Sequence, residues 1–219
     1  MIKKIKDIIR IILEEEKDPT KDKIIILDPG SMGNNPADSG DEPLPLNLVG
    51  LFCDVIEEKV AEIVHALLSL NEANLALPEK ERKPIEFYLS TYGGSADDMF
   101  ALYDVMRLVR KDVTLRTIGL GKVMSAGVLL LAAGTKGERK IAKNCRIMIH
   151  SVVGGNQGDL HNMLNEMEAI EQLQQMFVDC LVSETKMTKS RLKKILDRKV
   201  NVYLSAEEAV ELGIADIII

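Results

Sequence analysis

Ser125 stands in the stretch Gly119-Leu120-Gly121-Lys122-Val123-Met124-Ser125-Ala126-Gly127, which leads into the apolar run 128–133. A serine between small residues, after a Gly-rich turn and ahead of a helix-forming run, falls at a helix N-terminus. Unpaired backbone N–H groups and the helix dipole there favour developing negative charge. That setting suits a nucleophile beside an oxyanion; the competing and commoner use of such a serine is a helix N-cap. The three histidines differ by position. His65 and His161 fall on helical patterns as surface or packing residues, whereas His150 ends a strand pattern and precedes Gly154-Gly155-Asn156-Gln157-Gly158. Loop edges of this kind display catalytic groups, and an imidazole there can take the serine proton and return it to a leaving amine. Lys122 is an alternative base for Ser125, less suited than histidine. Gly93-Gly94 follows the strand pattern 85–89. It is either a tight turn or a place where missing side chains let a carbonyl reach a free backbone N–H. Two Gly-rich strand ends flanking Ser125 would form a groove for an extended peptide, with Gly93, Ser95, Gly154 and Gly155 as the expected substrate-binding positions.

The elements that must hold these residues alternate. A short strand at 49–53, a helix at 55–70 with Val60, Ile63, Val64, Leu67 and Leu68 in a stripe, and a strand at 85–89 read as a βαβ unit. A helix at 97–110, a strand at 113–118 and the Ser125 helix continue the alternation, which argues for parallel strands with helical crossovers. A strand at 146–149 leads to His150, and 156–184 reads as one helix, ~40 Å long at 1.5 Å per residue. A helix of that length projects from a small domain or packs on another chain. Met163, Met167 and Met176 on it are deformable packing groups. The tail reads as a helix at 189–197, a capping box Ser205-x-x-Glu208 opening a helix closed by Gly213, and a last strand at 214–219.

Composition narrows the function classes. With 219 residues and 46% hydrophobic content the chain can bury a sizeable core as one domain. A net charge of −6 with interspersed signs gives no footprint for nucleic acid. Cys53, Cys145 and Cys180 are odd in number and far apart, so neither a disulfide framework nor a metal site is indicated, and a reducing, cytoplasmic setting is expected. Residues 1–16 carry Ile2, Ile5, Ile8, Ile9, Ile12 and Leu13 at helical spacing, interrupted by charges: an amphipathic helix, not a signal peptide or a membrane span. A short β-branched run at 23–27 and a Pro-, Gly- and Asn-rich connector complete an arm over 1–47, ahead of a domain at 48–219.

Tyr92-Gly93-Gly94-Ser95, Met124-Ser125-Ala126-Gly127, Arg146-Ile147-Met148-Ile149-His150 with Gly154-Gly155-x-Gln157-Gly158, and Leu204-Ser205-Ala206-Glu207-Glu208-Ala209 follow one another in the order and approximate spacing of a known family. The chain resembles the proteolytic subunit of Clp protease from about residue 49 to its end. The resemblance implies a crotonase-like α/β spiral of βα units with a projecting handle helix, here 156–184. It implies Ser125 as nucleophile, His150 as general base, Asp197 as the aspartate that orients the imidazole, and the backbone N–H groups of Gly94 and Ala126 as the oxyanion hole. It further implies a serine endopeptidase without cofactor or metal, assembled as two stacked heptameric rings and acting on unfolded chains supplied by a separate AAA+ unfoldase. The sequence has no G-x-x-x-x-G-K-[ST] nucleotide loop of its own. Where the family commonly has Asn-Ser-Pro-Gly-Gly this chain has Ser90-Thr91-Tyr92-Gly93-Gly94, and Ser151-Val152 replaces Gln-Pro after the histidine. A catalytically silent assembly subunit and a crotonase-type acyl-CoA enzyme are the alternatives from other classes; intact Ser125, His150 and Asp197 argue against the first, and the serine and histidine in register against the second.

Overall fold

Alternating apolar residues make the first strands. In β2 (Ile85–Thr91), Ile85, Phe87, Leu89 and Thr91 are buried while Glu86, Tyr88 and Ser90 face the other side, the period of two that a pleated strand imposes. The computed structural model describes residues 47–155, 157, 159–197 and 200–219. The arm expected over 1–47 lies outside these residues, apart from Asn47. β1 (Leu48–Leu51), β2 and β3 (Leu115–Met124) pair in parallel, with Leu48 opposite Glu86 and Ile85 opposite Leu115. The crossovers are α1 (Glu57–Leu75) and α2 (Ala96–Asp112), which pack on each other. Ser95 caps α2 by accepting the Asp98 N–H at 3.3 Å, with acidic residues in the first turn and Arg110 and Lys111 in the last, as the helix dipole favours.

The sheet forks at β3. Its middle, Ile118 and Gly119, pairs with β4 (Lys140–Ile141), which pairs with β7 (Ile217–Ile218). Its end, Lys122 to Met124, pairs with β5 (Arg146–Ile149), and β5 pairs antiparallel with β6 (Val202–Leu204). Between the two halves the register against β2 slips: Leu89 faces Gly119 but Thr91 faces Val123, and Gly121 takes φ +60°. This bulge bends the strand. The expectation that the strand ends at Ile118 is therefore corrected. The glycines read as a turn are absorbed into a continuing strand, because β5 supplies hydrogen-bond partners that are distant in sequence.

α3 (Ala126–Ala132) follows β3, and all seven of its residues are buried. Its last carbonyls are met by side chains. Thr117 Oγ1 donates to Leu131 O at 2.8 Å, Arg139 Nη1 to Ala132 O at 3.2 Å and Arg110 Nη1 to Ala133 O at 2.8 Å. The two guanidinium groups are neutralised in turn: Arg110 pairs with Glu184 at 2.6 Å, Arg139 with Asp216 at 2.6 Å, and Tyr103 donates its hydroxyl to Glu184 at 2.8 Å.

Glu184 ends α4 (Leu160–Glu184), the 25-residue helix that stands where the handle is expected. It starts four residues later than the periodicity indicates, because Asp159 caps it by accepting the Asn162 N–H. Only Phe177, Val178, Leu181 and Glu184 are buried on it; Leu160, Met163, Leu164 and Met167 are exposed. The first half thus projects and the last two turns anchor. α5 (Lys189–Leu196) leaves Asp197 as its C-cap, and α6 (Ala206–Glu211) shows both bonds of the expected capping box, with Gly213 at φ +74° beyond its end. The last strand is shorter than expected, since Ile214 and Ala215 still bond to Ala209 O and do not join the sheet. Among the described residues no helix is long and apolar enough to cross a membrane.

Burial alone would lift the Glu184 and Asp216 carboxyls. Hydrogen bonds from Arg110 and Tyr103 to Glu184, and from Arg139 to Asp216, outweigh it and hold both below their ordinary values of 4.5 and 3.8. A carboxyl with a lowered folded-state pKa contributes stability above its ordinary value and loses it as pH falls through the lowered one. The melting temperature is therefore expected to fall as pH drops below about 4.5, with a shallower fall in Glu184→Gln. At neutral pH that variant, which leaves Arg110 without its counter-charge, should melt about 10 °C lower. Thermal scans of both proteins between neutral pH and pH 3 check this; parallel curves would remove Glu184 from the account.

Candidate active site

Ser125 joins β3 to α3 with φ +52° and ψ −121°, the one positive φ outside glycine among the described residues. Such a conformation costs on the order of 1–3 kcal/mol and persists only where its surroundings impose it. They do so from two sides. The Ser125 N–H donates to Met148 O of β5 at 2.8 Å, and the Ser125 carbonyl accepts the Val128 N–H at 3.0 Å. The side chain does not cap α3. The hydroxyl instead meets His150 Nε2 at 2.8 Å. When Nε2 carries no proton it accepts the Ser125 O–H, the arrangement a general base requires.

Strand register accounts for the meeting. Met124 lies opposite Met148 in the parallel β3–β5 pair, so Ser125 and His150 leave neighbouring strands at the same end. His65 and His161 are exposed on helices, apart from this pair. Lys122 is engaged elsewhere: its ammonium lies 3.5 Å from Ser90 Oγ and 4.6 Å from the centre of the Tyr92 ring.

The Gly93-Gly94 turn presses on the serine from the β2 side. Gly93 has φ +104°, and a Cβ there would sit 2.6 Å from Ser125 Cβ and 3.1 Å from Ala126 N. Gly94 has φ +150°, and a Cβ there would sit 2.2 Å from Val55 O. Neighbouring groups are spoken for: the Gly93 N–H donates to Thr91 Oγ1 at 3.0 Å, Val55 N–H to Gly93 O at 2.7 Å, and Ser95 N–H to Val55 O at 2.9 Å. The N–H groups of Gly94 and of Ala126, the first residue of α3, have no acceptor among the described residues. Both flank the serine and are free to meet an oxyanion. Thr91 and the Met148 carbonyl are supports that sequence reading missed, since neither residue type marks such a role.

A cavity of about 300 Å³ opens beside Ser125 and His150, walled by Met99, Phe100, Val153, Leu173 and Phe177 and reached by Gly94, Ser95 and Ala126. Gly154 and Gly155 are exposed and do not line it; Val152 and Val153 do. Asp197 is exposed at the end of α5 and borders a second cavity of about 450 Å³ with Ser151, Gln174 and Lys193. Among the described residues no hydrogen bond joins it to His150. The structure thus brings Ser125, His150, Gly94 and Ala126 together, while Asp197 lines the adjoining cavity that shares Ser151 and Val152 with theirs. Among the described residues no group of three or more His, Cys, Asp or Glu could hold a metal ion.

The tight fit at Gly93 makes a direct test. Gly93→Ala places a methyl group on Ser125 at a left-handed backbone position, so reaction of Ser125 with a fluorophosphonate probe is expected to slow by about 100-fold or more. Labelling rates read by mass spectrometry check it, and an unchanged rate would mean that the turn does not set the serine.

A family model described as Clp protease matches residues 49–219. That span contains every element of the forked sheet from Val49 onward, the strained serine and its histidine. On this match the chain belongs to the Clp protease family, and is a ClpP-type member of it.

Proposed function

We propose that the chain is the serine endopeptidase subunit of a self-compartmentalised ring protease, cleaving unfolded polypeptides through an acyl-enzyme on Ser125. The observation that carries this reading is the 2.8 Å contact between Ser125 Oγ and His150 Nε2 on a serine held at positive φ. Clp proteases are serine peptidases that in general assemble as rings and work with AAA+ partners.

In the proposed reaction His150 takes the Ser125 proton as Oγ attacks the scissile carbonyl, and the developing oxyanion accepts from the Gly94 and Ala126 N–H groups. The imidazolium then protonates the leaving amine. Water, deprotonated by the same histidine, attacks the ester and releases the acid with Ser125 restored. Asp197 is assigned to orient the imidazole and stabilise its charged form. Gly93, Ser95 and the segment through Gly154 and Gly155 are assigned to hold the peptide backbone, while the apolar wall of Met99, Phe100, Leu173 and Phe177 suits an apolar side chain beside the cleaved bond. The exposed stripe of Leu160, Met163, Leu164 and Met167 on the projecting half of α4 is a surface that a second copy would cover, in keeping with two stacked heptameric rings. Substrate delivery is assigned to a separate AAA+ unfoldase, and the setting to the cytoplasm.

The second reading is a catalytically silent or gated subunit, and the lack, among the described residues, of a hydrogen bond between Asp197 and His150 is the observation on its side. Hydrolysis of short fluorogenic peptides without any ATPase distinguishes the two. The wild type should turn over and Ser125→Ala should lose about 10⁴-fold or more. A correctly assembled wild type that cleaves nothing would favour the silent subunit, and a monomer by sizing would remove the chamber.

A further inference from the structure

The residue after the histidine links the Ser125–His150 pair to the helix end that carries Asp197. Ser151 Oγ donates to Leu196 O at 3.0 Å. That carbonyl belongs to the same planar peptide unit as the Asp197 nitrogen, so fixing the oxygen fixes the plane from which Asp197 departs. At its other end Ser151 shares a peptide unit with His150. One hydroxyl thus spans from the residue bonded to His150 to the peptide bonded to Asp197. Asp197 N–H is in turn held by Lys193 O at 2.8 Å, which keeps the turn in helical geometry. Val152 N–H donates to Gln174 Oε1 at 2.9 Å, pinning the same segment to α4. Ser151 also stands on the wall common to both cavities, the one with Ser125 and His150 and the one with Asp197. Leu196 is buried, so its carbonyl, one of the last in α5 and without a partner inside the helix, has little water to turn to if the hydroxyl is removed.

We propose that Ser151 is a positioning residue for the triad: its hydroxyl, through the Leu196 carbonyl, sets the place of the Asp197 turn relative to the imidazole. The inference rests on the serine peptidase reading and on the role assigned there to Asp197. Ser151 contributes no proton transfer and no contact to the reacting bond, so its effect passes entirely through Asp197.

The experiment is a double-mutant cycle in the assembled, full-length protein, with kcat and KM for a short fluorogenic peptide, the fluorophosphonate labelling rate and the melting temperature measured together. Ser151→Ala is expected to lower kcat about tenfold with KM changed less than about twofold, and Ser151→Thr, which keeps the hydroxyl, to recover most of the loss. In an Asp197→Asn background, itself strongly impaired, adding Ser151→Ala should change kcat less than about twofold. A role in folding alone would instead lower the melting temperature and leave the two effects additive. Wild-type kcat in Ser151→Ala, or a full tenfold loss persisting in the Asp197→Asn background, would overturn the proposal while leaving the peptidase reading intact. Full activity in Asp197→Asn would remove the role assigned to Asp197 and the proposal with it.

Discussion

Three opposed pairs, Lys122 with Arg146, Val123 with Ile147 and Met124 with Met148, hold β5 alongside the end of β3, and the hydrogen bond from Ser125 N–H to Met148 O extends that ladder by one step. Everything chemical depends on this pairing. It brings the ends of two strands 25 residues apart in sequence to one point, so that a 2.8 Å contact forms between side chains with no local reason to meet. It also holds the serine backbone where an L-residue is disfavoured, which turns the hydroxyl away from the capping position and toward the imidazole. The bulge at Gly121 is the cost of reaching β5: β3 must leave the direction it shares with β4 to do so.

The helix behind the serine is anchored by a different force. α3 is too short to persist alone, since helices of fewer than about a dozen residues are marginal in water. Its sides are wholly apolar and buried, which supplies the packing, but burial also strands the carbonyls at its C-terminus. Thr117, Arg139 and Arg110 answer them one after another, and Glu184 and Asp216 answer the arginines. The network spans α2, the end of α3, the end of α4 and the approach to β7. Removal of one member would leave a buried group uncompensated, a larger loss than the bond itself is worth. The same network roots the base of the projecting α4, whose outer half carries exposed methionines and leucines.

Much of this was legible in the chain. The alternation of helix and strand, the capping box at Ser205 and Glu208, and the long helix ending at Glu184 follow from local periodicity and cap chemistry, and the structure reproduces them. The strand boundaries that shifted are those whose partners are remote. β3 ran past Ile118 because β5 was there to receive it, and β4 and β6, only two and three residues long, carry no periodic signal. Gly154 and Gly155 stood out as a loop, but Val152 and Val153 border the cavity, and the glycines have no side chain with which to line it.

By itself the sequence determined the class of fold and the candidates: a serine after a Gly-rich stretch, a histidine at a strand end, a glycine pair after a strand, and motifs in the order of one family. These are local or linear properties, set by side-chain size, backbone freedom and spacing along the chain. Only the tertiary structure decided that Ser125 is not a cap, that Lys122 bonds Ser90, and that Ser151, next to His150, bonds the Leu196 carbonyl just ahead of Asp197. Those outcomes depend on which strands pair and in what register, and register is a long-range balance of buried faces and backbone hydrogen bonds that no stretch of residues specifies alone.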